Sequence, residues 1–106
     1  MTKVYPGDIS EVDKIELIDG GTGERKIVEE KEIINRWIQE IKDIELIPDN
    51  NQEERAGYRF GISLYEGDEI KLGFIPNQIN RIYYKSNNEF GNHIKTFFEE
   101  QFGRVF

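Results

Sequence analysis

The chain contains no cysteine. Disulfides, thiolate catalysis and cysteine-ligated zinc are therefore excluded. No apolar run approaches the ~18 residues needed to span a membrane, so direct membrane insertion by this segment is not expected. The start has no basic-then-apolar stretch of the signal-peptide kind. Histidine and alanine occur once each and proline three times. Basic residues are short in supply as well: 14 Lys and Arg stand against 21 Asp and Glu, a net charge of −7. Nucleic-acid binding needs clustered cations that release counterions, so nucleic acid is not an expected partner. Adsorption to an anionic membrane surface is disfavoured by the same sign. The acidity reads either as solubility and self-repulsion, giving a monomer, or as an acidic face for a basic partner or cation.

What the chain does have is periodic apolar residues. At 106 residues it has the length of one domain. Residues 1–11, with Tyr5-Pro6-Gly7, read as a flexible lead-in, and residues 12–106 as a single α+β domain. From Val12 to Ile18 the residues alternate as in a strand with one buried face. Asp19-Gly20-Gly21-Thr22-Gly23 is a turn, and Lys26-Ile27-Val28 is a returning strand. Ile33, Ile34, Trp37, Ile38 and Ile41 form one stripe of a helix over Glu30 to Asp43, with Glu29, Glu30 and Glu32 at its start and a Glu32–Arg36 pair on its wet side. Ile44 to Ile47 is a candidate short strand, and Asp49 to Ala56 a polar loop.

Tyr58, Phe60, Ile62 and Leu64 then define a strong strand. Glu66-Gly67-Asp68 turns into a second one with Ile70, Leu72 and Phe74 on its core face. Pro76-Asn77-Gln78 is a further turn, and Arg81 to Lys85 a last strand. Phe90, Ile94, Phe97, Phe98 and Phe102 stripe a final helix, capped by Asn87 or Asn88 and stopped at Gly103. The pattern predicts a mainly antiparallel sheet of four to six strands, in ββα(β)βββα order, with both helices on one face. Facing core residues across the central hairpin predicts Phe60 opposite Phe74 and Ile62 opposite Leu72. Gly61 would then oppose Gly73 on the outer face.

That glycine pair, beside Arg59, Tyr65 and Ile75, is the candidate interaction surface. Arg and Tyr are enriched at binding hot spots. Strand glycines also commonly mark twist or a bulge, and that structural meaning is the more frequent one. No catalytic, cofactor or metal residues stand out. Gly20-Gly21-Thr22-Gly23 lacks the Gly-Lys-Ser/Thr ending of a phosphate loop. Asp49 to Glu54 lacks the glycine and distal glutamate of a calcium loop. His93 borders the apolar stripe of the last helix, and Ser10, Ser63 and Ser86 lack a nucleophile-elbow context.

The run from Lys14 to Gly23 followed by an acidic helix start, the Gly57-to-Tyr65 strand and Ile82-Tyr83-Tyr84 together resemble YhfM-like small domains of Bacillus-type cell-envelope lipoproteins. The resemblance implies a non-enzymatic binding or interaction domain. It would be extracytoplasmic, anchored through an N-terminal segment absent from this sequence, with an unknown protein or small ligand as partner. The charge alone supports an alternative, a small acidic cytoplasmic inhibitor or immunity-type protein that binds a basic partner.

Overall fold

A computed structural model describes residues 9, 11–53, 57–79 and 81–106. The observed order is β1 (Lys14–Asp19), β2 (Arg25–Val28), α1 (Lys31–Ile41), β3 (Phe60–Glu66), β4 (Glu69–Ile75), β5 (Gln78–Ile79), β6 (Ile82–Tyr83) and α2 (Asn88–Phe102). The six strands form one antiparallel sheet in the order β2-β1-β3-β4-β5-β6. The expected α+β architecture with a mainly antiparallel sheet is therefore present.

Strand alternation decides which side is buried. Leu64 pairs with both Ile15 and Leu72, Ile62 with both Leu17 and Phe74, and Phe74 with Ile79. All seven belong to one core with Ile34, Trp37, Ile38 and Ile41 of α1 and Phe90, Ile94, Phe97 and Phe98 of α2. Both helices thus share one face of the sheet. Trp37 stacks on Phe97 at 4.4 Å and donates its indole N–H to the His93 carbonyl. Each such buried side chain contributes about 1.5–3 kcal/mol relative to its exposed state. Asn87 caps α2 by accepting the Phe90 N–H at 2.9 Å, and Gly103 ends it at φ 69°.

Several expectations are corrected. The central hairpin sits two residues away from the predicted register: Ile62 opposes Phe74, Leu64 opposes Leu72, and Ser63, not Gly61, opposes Gly73. The cause is the turn. Gly67-Asp68 is a two-residue connection closed by the Glu66–Glu69 pair. Continued without a break, that register would set Leu64 against Lys71, a core residue against an outer one. An irregularity beyond Leu64 leaves Lys71 as the extra residue and brings Leu72 opposite Leu64. Ile70, predicted for the core, pairs with outward Tyr65 and is 56% exposed.

Alternation assigns Tyr58 to the core as well, but β3 begins only at Phe60, and Gly57 at φ 81° turns the chain just before it. Arg36 faces Glu100 of α2 at 4.0 Å instead of forming the expected pair with Glu32. The predicted last strand, Arg81 to Lys85, is shortened to β6, because Arg81 occupies a turn at φ 69°, and Gln78, read as part of a turn, instead opens the extra strand β5. The candidate strand at 44–47 reduces to a single bridge between Pro48 and Tyr84. Next to it, the Gln52 side-chain amide both donates to the Tyr83 carbonyl and accepts its N–H, which occupies hydrogen-bonding groups along β6. Within the segment read as lead-in, Ile9 packs on the core and its carbonyl accepts the Val12 N–H. The rest of that segment up to Ser10, and the end of the polar loop at 54–56, lie outside the described residues.

Candidate functional site

The sheet face away from the helices carries the candidate residues. Paired positions share a face, so Gly61 and Ile18 lie on it together, as do Ser63, Glu16 and Gly73, and Ile75 and Gln78. Most of these form the floor and sides of a shallow concavity of about 350 Å³. Tyr58 and Arg81 complete its rim.

The two glycines differ in role. A β-carbon on Gly61 would lie 2.9 Å from the Tyr58 ring, so that aromatic ring rests on the missing side chain. On Gly73 a β-carbon would meet nothing closer than 3.9 Å, so the backbone there is open. Gly20 completes the seating of Tyr58: its β-carbon would fall 1.8 Å from the Tyr58 carbonyl oxygen. Gly20 also donates its N–H to the Arg59 carbonyl at 2.8 Å.

Of the five residues singled out from the sequence, the structure gathers Gly61, Gly73 and Ile75 into the concavity. Arg59 and Tyr65 are not part of its lining. The Arg59 guanidinium lies 5.5 Å from the ring centre of Phe60, which itself packs on Phe98. Tyr65 lies farther along the face beneath Lys14, whose ammonium is 4.6 Å from the ring centre. Sequence reading missed Tyr58 and Arg81. Tyr58 fits the strand alternation and so reads as core. Arg81 sits where a hairpin would ordinarily announce itself with Asn-Gly, and the chain has Asn80-Arg81 instead.

Charge around the concavity runs against that of the whole molecule. Among the described residues, its lining holds one cation, Arg81, and no carboxylate. Glu16, the register neighbour of Ser63, is engaged by Arg25 at 3.2 Å. The helix side is different. A polar groove of about 240 Å³ between α1 and α2 is lined by Arg36, Glu40, His93, Thr96 and Glu100, with Trp37 and Phe97 below. There the Glu40 carboxylate lies 3.4 Å from His93 Nδ1. Among the described residues, no group of three or more His, Cys, Asp or Glu converges as metal ligands would. No helix among them is long and apolar enough to cross a membrane.

These features define a small α+β domain with an open antiparallel sheet, helices on one side and a concave patch, free of described carboxylates, on the other. In comparisons with known proteins, no family model, no curated protein and no solved structure matches the chain.

Proposed function

We propose that this domain is a non-enzymatic, monomeric binding module whose helix-free sheet face is its recognition surface. Its place would be outside a Gram-positive-type cell, as the resemblance to cell-envelope lipoprotein domains implies. The observation that carries this reading is the concavity over Gly61 and Gly73. Its floor is open backbone at Gly73, and its apolar border is Tyr58, 47% exposed, with the half-buried Ile18 and Ile75. Concave patches with apolar walls and a few polar groups are the ordinary form of a ligand site. The test is a fragment library screened against ¹⁵N-labelled protein by amide chemical-shift mapping. Binders should shift the amides of Ser63, Gly73 and Gln78. Hits confined to the groove between the helices, or an absence of hits, would overturn the reading.

A second reading rests on the acidic groove. Glu40, Glu89 and Glu100 border adjoining hollows on the helix side, which suits a basic partner and fits the inhibitor or immunity-type alternative. Titration with an oligolysine peptide separates the two readings. Salt-sensitive shifts at Glu40, Glu89 and Glu100 would support it, and unshifted helix amides would exclude it.

A further inference from the structure

We propose that the sheet-face concavity binds a small planar carboxylate, with Arg81 as the group that reads its charge; this deepens, and rests on, the reading of that face as the recognition surface. Charge and position together single out Arg81. The net charge is −7, yet several described cations, Arg59 among them, have no described carboxylate at ion-pair distance, and Arg81 is the one of these that lines the concavity. Arg25, Arg36 and Arg104 each lie within 4.0 Å of one. Arg81 has no such partner among the described residues, and none of those lining the hollow it borders is acidic. A guanidinium presents a planar fork of donors that matches a carboxylate in two parallel hydrogen bonds.

Backbone conformation singles it out independently. Arg81 is the one non-glycine residue at positive φ among the described residues, at 69°. L-residues with side chains enter that region at a cost, and glycine would occupy it freely. Strain of this kind is found where a side chain is needed at a fixed place. Here the place is the rim of the concavity.

Shape defines the rest of the ligand. Open backbone at Gly73 offers a flat floor, and Ile18, Ile75 and the Tyr58 ring supply apolar contact around it. Ser63 and Gln78 add neutral hydrogen-bonding groups. At about 350 Å³ the hollow suits a single ring or short branched acid, not an extended polymer. A flat apolar body with one carboxylate satisfies the floor, the walls and the single cation together.

The test is amide chemical-shift titration with benzoate and with benzyl alcohol, its uncharged counterpart in size. Benzoate should shift Ser63, Gly73 and Gln78 to saturation, with benzyl alcohol about tenfold weaker or worse, the loss expected on removing a charge-assisted hydrogen bond. Arg81→Gln should bring benzoate down to the level of the alcohol. A β-carbon at Gly73 meets nothing closer than 3.9 Å, so Gly73→Val should stay folded, fill the floor and abolish both. If benzoate and benzyl alcohol bind equally, the sheet face stands as a recognition surface and the anion inference falls. The inference also falls if Arg81→Gln retains wild-type affinity, or if benzoate shifts nothing on this face. In that last case the fragment screen still decides separately whether the face binds anything.

Discussion

Arg104 reaches the carboxylate of Asp19 at 2.7 Å, tying the chain just after α2 to the turn between β1 and β2. Asp19 also accepts the Gly21 N–H at 2.9 Å, so a single carboxylate organises the turn and anchors the tail. Its side chain is only 7% exposed. The Arg104 hydrogen bond, followed by that from Gly21, holds the Asp19 pKa below its ordinary value of 3.8. A carboxylate whose pKa is lowered by folding contributes stability above its unfolded value. It loses that contribution as pH falls through the lower, folded-state value. Asp19→Asn should therefore lower the thermal midpoint at neutral pH, and its deficit relative to wild type should shrink as the pH is taken below 3.8. Circular-dichroism melts across that range check this. A deficit that is constant with pH would show that the charge is not what matters.

The glycines around Tyr58 and on the open floor give opposite predictions for the same kind of substitution. Gly20→Ala would drive a methyl group into the Tyr58 carbonyl and should destabilise by about 1–3 kcal/mol, the usual cost of overpacking. A β-carbon at Gly73 makes only ordinary contacts, none closer than 3.9 Å, at an ordinary strand conformation, so Gly73→Val is accommodated. It restricts the unfolded chain and supplies a β-branched residue, so it should stabilise by about 0.5–1 kcal/mol. Urea denaturation of both variants measures the two effects. A destabilised Gly73→Val would contradict the open floor.

Lys71 is the residue that lets a two-residue turn coexist with a matched core. The pairs Glu66–Glu69 and Tyr65–Ile70 precede it, and Leu64–Leu72 follows it. Removing Lys71 would make these pairs consecutive without moving any residue to the other face. Deletion of Lys71 should accordingly leave a folded protein, destabilised by about 1 kcal/mol at most through loss of its exposed pairing with Glu66 and Glu69. Deleting Gly73 instead would turn Ile70 to Leu72 over relative to Phe74 and should abolish cooperative unfolding. Comparable melting of the two deletions would show that the register is not held by this parity.

That same bulge marks where sequence reading stops. The helix stripes of Ile34, Trp37, Ile38 and Ile41 and of Phe90, Ile94, Phe97 and Phe98 were legible, because a 3.6-residue period survives any detail of tertiary packing. So was the cap at Asn87, whose chemistry is local. Hairpin register was not, since alternation fixes only parity and any even shift satisfies it equally well. Of the candidate surface, Gly61, Gly73 and Ile75 were placed on one face by alternation alone. Tyr58 escaped notice because its neighbours Gly57 and Gly20, not its own position in the pattern, fold it back over the sheet. Arg81 escaped because a positive φ on arginine has no signature in sequence.

Arg81 also yields a prediction in which stability and binding are set against each other. Its backbone at φ 69° lies in a region that costs residues with a β-carbon about 1–2 kcal/mol and costs glycine almost nothing. Glycine after Asn80 would moreover reproduce Asn-Gly, the commonest sequence of a two-residue hairpin turn. Arg81→Gly should raise the unfolding free energy by about 0.5–1 kcal/mol, after allowance for the extra freedom glycine gives the unfolded chain. It should at the same time weaken benzoate binding at the concavity to the level of benzyl alcohol. A turn that one substitution improves, in a hairpin otherwise built for it, is explained if the side chain has work at the rim. Urea denaturation and the benzoate titration on the same sample test both halves. A variant that is less stable than wild type would mean the arginine is held there by the fold itself, and the conformational argument for its role would be lost.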